Sequence, residues 1–217
     1  DFALPVEAKD IDELLSAAER DWSQIDPSIL GTLFERGLDP AKRSQLGAHY
    51  TDRDKIMQIV NPVIVEPLLA EWAAVKAQIE AALAKAANAK SRSATTRAEK
   101  DAERLQSAFL ERLRDFRVLD PACGSGNFLY LSLLALKDIE HRTNLEAEAL
   151  GLPRGFPTIG PESVKGIELN PYAAELARVS VWIGEIQWMR RNGFDASSNP
   201  ILRPLSNIEN RDAILNE

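Results

Sequence analysis

Val118-Leu119-Asp120-Pro121-Ala122-Cys123-Gly124-Ser125-Gly126-Asn127-Phe128 is the stretch around which the chain is organised. A short apolar run, from about Phe116 to Leu119, reads as a buried strand that ends on an acid, Asp120. A loop with two glycines follows, and then an apolar segment from Asn127 to about Glu140 that reads as a helix. Strand, glycine loop and helix together make a cradle for a nucleotide. Glycine lets the backbone turn sharply and lie close to a ligand. The start of the helix offers unpaired N–H groups and the positive end of its dipole.

The residues of the loop exclude two common cradles. A phosphate loop needs Lys and then Ser or Thr after its second glycine, and Asn127 and Phe128 stand there instead. A dinucleotide fingerprint needs a third glycine where Leu129 stands, and an acid about 20 residues on. The next acid at a strand end, Glu168, lies far beyond that spacing. An acid at a strand tip beside small residues suits a ligand with an ammonium group and a neutral sugar better than a pyrophosphate.

Asp-Pro-Ala-Cys-Gly-Ser-Gly-Asn-Phe resembles the first motif of the S-adenosylmethionine-dependent amino-group DNA methyltransferases. Gly-Ala-His-Tyr-Thr at 47–51 resembles the motif that precedes it in the adenine-N6 subgroup. Gly166-Ile167-Glu168-Leu169-Asn170-Pro171 resembles the second motif, and Asn207-Ile208 with Asp212-Ala213 the third. Order and extent are similar to the type IIG-like enzymes, which build such domains into long restriction–modification or phage-defence chains. The resemblance runs from about Ile25 to Leu215. It implies a cofactor, S-adenosyl-L-methionine, held by Tyr50, Thr51, Asp120, Pro121, Ala122, Cys123, Gly124, Ser125, Gly126, Asn127, Glu168, Leu169 and Asp212. It also implies that the parent protein is a site-specific adenine methyltransferase acting on double-stranded DNA.

Composition sets bounds. The chain has 217 residues, enough for one domain plus a helical extension. It opens on Asp1 rather than Met, which suggests a segment of a longer protein. One cysteine leaves no disulfide framework within the chain and fits a reducing, cytoplasmic setting. No apolar run reaches the roughly 18 residues of a membrane span, and no signal-peptide layout begins the chain. The net charge of −7 places the main DNA-gripping surface elsewhere, or in a local patch.

Three regions follow: a helical lead-in over 1–46, pre-sheet helices with a hairpin over 47–115, and the first half of an α/β domain over 116–217. Ile11, Leu14, Leu15 and Ala18 fall at helical spacing. Asp26-Pro27 reads as a cap with Pro at the first helical position, and Gly37 as a stop. Arg36, Lys42 and Arg43 read as a solvated basic face. Thr51-Asp52-Arg53-Asp54 has the pattern of a capping box, and Asn61-Pro62 and Pro67 read as breaks. Between about Pro67 and Asp115 two apolar periodic runs flank a polar stretch from Asn88 to Thr96, which predicts an antiparallel helical hairpin with that stretch as its tip. A Gly/Pro-rich loop over 151–161 precedes a second strand from Ser163 to Glu168. Asn170-Pro171 caps the next helix, and Leu205 to Glu209 reads as a third strand.

In open α/β sheets ligands lie beyond the carboxyl ends of the strands, where Asp120, Glu168 and Asp212 all fall. Glu168 suits both ribose hydroxyls, since a carboxylate is a bidentate acceptor for a vicinal diol; the alternative is a capping acid. Asp212 suits the adenine amino group, or is a surface acid. Asp120 meets the ammonium end, directly or through water, or braces its own loop. Thr51 is a cap, a contact to the methionine end, or both. Cys123 reads as a small buried loop residue rather than a nucleophile. His49 and His141 lack ligand spacing, so a metal is not expected. The tryptophans read as core.

The resemblance also implies an Asn/Asp-Pro-Pro-aromatic motif that holds the flipped base, and the chain contains none. Asn170-Pro171-Tyr172 and Asn199-Pro200 lack the second proline. The fold expected is therefore a partial Rossmann-like class I methyltransferase sheet, strands one to three with flanking helices, inactive by itself. Its first strand would keep an open apolar edge, an invitation to a homo-oligomer. The alternatives are part of an RNA or protein-glutamine methyltransferase, or a non-catalytic assembly module.

Overall fold

A computed structural model of the chain describes residues 5–20, 25–29, 51–194 and 204–215. The readings placed on Trp22, Arg36, Gly37, Lys42, Arg43, Gly47, His49, Tyr50, Asn199 and Pro200 lie outside the described residues.

Helix α1 spans Ala8–Ala18 and opens on a capping box in which the Glu7 N–H donates to Asp10 Oδ2 at 2.9 Å. Its apolar stripe, Ile11, Leu14 and Leu15, is exposed. Asp26 Oδ1 accepts from the Ser28 N–H at 2.9 Å, the local bond that an Asp-Pro start predicts. Helix α2 runs over Arg53–Val60, and its cap residue is Asp52, not Thr51 as the capping-box pattern suggested. The prolines do not break the rod that α2 begins. A wider turn over Asn61–Val65 absorbs Pro62, with the Glu66 N–H donating to Asn61 O five residues back, and α3 continues over Glu66–Ala87. Such a widened turn removes the need for the donor that proline lacks.

Helix α4 spans Arg92–Arg114 and packs antiparallel on α3, with Trp72 against Phe109 at a ring separation of 5.2 Å. The connection is shorter than expected. Ser91 Oγ accepts from the Ala94 N–H at 3.3 Å and starts the helix there, so the Ser/Thr-rich residues from Arg92 to Thr96 are helical.

Three parallel strands, β1 (Val118–Asp120), β2 (Val164–Glu168) and β3 (Ile208–Asn210), pair in the order β1-β2-β3 among the described residues. Val118 pairs with Val164, and Glu168 with Asn210. The first strand begins later than expected because the Phe116 N–H is still bonded to Leu113 O at the end of α4. The third begins later because the Ile208 N–H closes a turn on Leu205 O. The outer edge of β1 carries no strand among the described residues, and Leu119 is exposed.

Helix α5, Asn127–Ala149, and helix α6, Pro171–Arg191, lie against the sheet and each other. Asn170 Oδ1 caps α6 by accepting from Tyr172 and Ala173 N–H, as expected. Gly184 sits against Tyr130 so closely that a Cβ would fall 2.5 Å from the ring. Helix α5 outruns its expected end at Glu140: Thr143, Asn144 and Ala147 beyond it are buried, and Asn144 Oδ1 accepts from the Gly155 N–H at 3.1 Å. Glu140 accepts from the Thr158 N–H at 2.8 Å, the Thr158 hydroxyl at 2.6 Å and the Ile159 N–H at 3.1 Å. Lys137 donates to Ile159 O at 2.8 Å and to Glu185 Oε1 at 2.9 Å, with its ammonium 4.6 Å from the Trp188 ring centre. These bonds pin the Gly/Pro-rich loop to the helix. No described helix is long and apolar enough to cross a membrane.

Glu146 joins the hairpin to α5. It accepts from Arg142 at 2.7 Å, Trp72 Nε1 at 2.9 Å and Lys76 at 3.0 Å. The Arg142 bond, with help from Trp72 and Lys76 and against some desolvation, lowers its carboxyl to about 2 from the ordinary 4.5. A lowered folded-state pKa contributes stability above the ordinary value and loses it as pH falls through the folded one. The urea midpoint of the wild-type chain is therefore expected to drop between pH 4.5 and 2 by more than that of Glu146→Gln. Parallel pH profiles of the two would contradict this.

Candidate cofactor site

The site is built where the strands end. Asp120 closes β1 and Glu168 closes β2, two positions apart in register, since Asp120 pairs with Gly166. The loop after β1 is stitched to β2 at both levels of the chain. The Cys123 N–H donates to Ile167 O at 3.0 Å, and the Gly124 N–H donates to Glu168 Oε2 at 2.8 Å. The other Glu168 oxygen accepts from the Asn170 N–H at 2.8 Å. Glu168 thus braces both the glycine loop and the start of α6, a capping role that leaves further lone pairs on each oxygen.

Both glycines of the loop carry positive φ, +54° at Gly124 and +84° at Gly126. At Gly126 a Cβ would lie 2.8 Å from the Ala177 Cα, so this glycine lets α5 begin against α6. At Gly124 a Cβ would meet nothing within 4 Å, so bare backbone faces open space there.

Asp120 Oδ1 accepts from the Ala122 N–H at 3.0 Å, which is the loop-bracing option of the two that the sequence left open. Burial raises the Asp120 carboxyl above its usual range, the Ala122 bond opposes this, and the nearby Glu168 charge raises it further. The two carboxylates stand at the carboxyl ends of adjacent strands. Cys123 is buried beside them, and burial, then the Asp120 and Glu168 charges, push its thiol up to about 12. It stays neutral, and its sulfur fills the space that Gly166 leaves, 2.7 Å from where a Cβ would stand.

Pro121 and Ala122 are exposed at the loop, Ser125 is half-buried, and Leu169 presents an exposed side chain beside Glu168. Asn127 opens α5. Its Oδ1 is buried and has no donor among the described residues, and it borders a narrow cleft, too tight for a water, with Thr51, Arg53 and Tyr130. Thr51 therefore lies by the helix start rather than capping α2. Asp212, half-buried just past β3, accepts from Ile214 N–H at 2.8 Å and Leu215 N–H at 3.3 Å and shapes the turn there.

The sequence reading missed Asn210. Its amide donates to Glu168 O at 2.8 Å and Leu169 O at 3.0 Å, and the Arg211 N–H adds a bond to Glu168 O at 3.1 Å. One polar residue at a strand end gives no pattern by which to find it.

The family model of the MmeI DNA-methyltransferase domain matches residues 94–213, more than half of the chain. The chain belongs to the MmeI DNA-methyltransferase domain family. Among curated relatives, DNA methyltransferase A of Bacillus subtilis (strain 168) is 28% identical over 167 residues, covering 76% of this chain and 16% of that protein. Among solved structures, the type IIL restriction–modification enzyme MmeI in complex with DNA superposes with a TM-score of 0.71 at 28% identity, covering 96% of this chain and 26% of that one. The chain thus spans well under a third of the relatives it matches. The partial α/β fold, a short parallel sheet with flanking helices, is that of the MmeI-type methyltransferase domain.

Proposed function

We propose that this segment holds S-adenosylmethionine for an adenine-N6 methyltransferase that acts on double-stranded DNA within a restriction–modification or phage-defence protein. One observation carries the reading: Asp120 and Glu168 close adjacent parallel strands, and Glu168 accepts from the N–H of Gly124, where a Cβ would meet nothing within 4 Å. The residues fit the cofactor chemically. Glu168 keeps acceptor capacity for a diol, the N-terminus of α5 directly follows the glycine loop, and Leu169 offers an exposed apolar surface to a base. When bound, S-adenosylmethionine supplies an electrophilic methyl on its sulfonium. The chain's part is to orient it: Glu168 at the sugar, Asp120 at the amino end, Asp212 at the adenine, Thr51 and Tyr50 at the methionine end. No Asn/Asp-Pro-Pro-aromatic sequence is present, so the segment by itself binds cofactor without transferring methyl.

Calorimetry of the chain with S-adenosylmethionine tests the binding. Transfer of labelled methyl by the full-length protein to adenine-containing duplex, against RNA and glutamine peptides, tests the substrate. A single stoichiometric site and duplex labelling are expected; no heat, or labelling of RNA or peptide alone, overturns the reading.

Asp120→Asn separates stability from binding. The folded state raises the Asp120 carboxyl, so its charge costs stability at neutral pH, and that cost is absent at low pH where the group is protonated. Asparagine removes the charge but keeps an oxygen for the Ala122 N–H. The variant is expected to melt at or above the wild-type temperature at pH 7. Its cofactor affinity is expected to fall about tenfold or more, the scale of a charge-assisted bond of about 1.5–3 kcal/mol. A lower melting temperature with unchanged affinity would assign Asp120 to loop bracing alone.

A further inference from the structure

The helical hairpin has a base and a tip of different character. At the base, Leu68, Trp72, Ile79, Ala102, Phe109 and Leu113 are buried, Lys76 pairs with Glu146 late in α5, and Gln106 donates to Pro153 O beyond that helix. Past Ile79 and Ala102, Ala86 alone is buried among the described residues of the hairpin. The tip therefore stands clear of the domain, at the end away from the strand tips. Residues 81–100 carry Lys85, Lys90, Arg92, Arg97 and Lys100 against one acid, Glu99, in a chain whose net charge is −7. All five cations are exposed, and none joins an ion pair among the described residues. Arg92, Thr96 and Lys100 follow one another at four-residue steps, about 6 Å apart, with Ser93, Arg97 and Asp101 in the adjoining row, Asp101 being engaged by Arg104 at 3.6 Å.

We propose that this tip grips the phosphate backbone of duplex DNA at a distance from the modified base. The inference rests on the DNA reading above and adds where a second contact lies. Charge complementarity carries it: a compact cationic stripe with hydroxyls between, on an otherwise acidic chain, matches a polyanion. Residues 81–100 hold no aromatic side chain, so unpaired bases have no platform to stack on. Their largest apolar residue, Leu83, is half-buried, so a membrane has no anchor to take up. From Arg53, beside the start of α5, to Ala87 the rod measures about 50 Å at about 1.5 Å per residue, a span of about 15 base pairs.

The test is the salt dependence of duplex binding by the full-length protein, wild type against Lys85→Ala/Lys90→Ala/Arg92→Ala/Arg97→Ala. The slope of log affinity on log salt is expected to become shallower by about 3–4, and affinity at moderate salt to fall about tenfold or more. S-adenosylmethionine affinity should stay unchanged. Lys90→Ala/Arg92→Ala, confined to the turn, should give about half the slope change, and Arg112→Ala/Arg114→Ala, at the hairpin base, none. Unchanged slopes in a wild-type protein that binds duplex overturn the inference and leave the DNA reading intact. An effect seen only with single-stranded RNA or with anionic vesicles also overturns it. A wild type that ignores duplex altogether defeats the DNA reading itself, and this inference with it.

Discussion

Alanine in place of Glu168 is expected to weaken S-adenosylmethionine binding at least about a hundredfold, since two charge-assisted hydrogen bonds of about 1.5–3 kcal/mol each are lost. A second loss compounds the first. Glu168 holds the Gly124 N–H and the Asn170 N–H, so its removal frees the glycine loop and the α6 cap together. Glu168→Gln keeps one acceptor and should fall between alanine and wild type. Asn210→Ala should weaken binding less, because it loosens only the backbone that carries Glu168 and Leu169. Calorimetry on the four proteins gives the order. Wild-type affinity in Glu168→Ala would show that the carboxylate serves the loop and not the ligand.

The second large effect is expected in the core. Lys137 is 1% exposed and its ammonium is shared among Glu185, Ile159 O and the Trp188 ring. Burial already raises the Glu185 carboxyl, and the Lys137 charge opposes that rise. Lys137→Met would strand Glu185, whose Oε2 is buried without a donor among the described residues, and free the loop at Ile159. A loss of about 3–5 kcal/mol in urea unfolding is expected, as for other buried pairs broken on one side. Lys137→Met/Glu185→Leu should recover much of it, because two apolar side chains replace the pair without leaving a buried charge. A double variant as unstable as the single one would place the loss in the Ile159 contact.

The parts of this molecule that the sequence announced are those with local physical causes. Asp120, Gly124 and Gly126 could be read because a strand tip, a left-handed turn and a helix start each restrict the residue types allowed. Glu168 and Asn170 were legible for the same reason, at the end of an apolar run and before a proline. What stayed hidden depends on residues distant in the chain. Asn210 acts across 42 positions on Glu168 O. Lys137 and Glu140 look like a polar interruption of an apolar helix until the loop at Thr158 and Ile159 folds onto them. Pro62 reads as a break because the pattern of residues does not say that a wider helical turn can absorb it. Family resemblance supplied the cofactor and the reaction; the residues alone supplied a cradle for a neutral sugar with an ammonium group.

The most direct measurement is a crystal structure of the chain soaked with S-adenosylhomocysteine. The nucleoside is expected over Gly124, with both ribose hydroxyls within hydrogen-bond distance of the Glu168 carboxylate and the amino end toward Asp120 and Asn127. A ligand seated elsewhere, with Glu168 still bonded only to the Gly124 and Asn170 N–H groups, would contradict it.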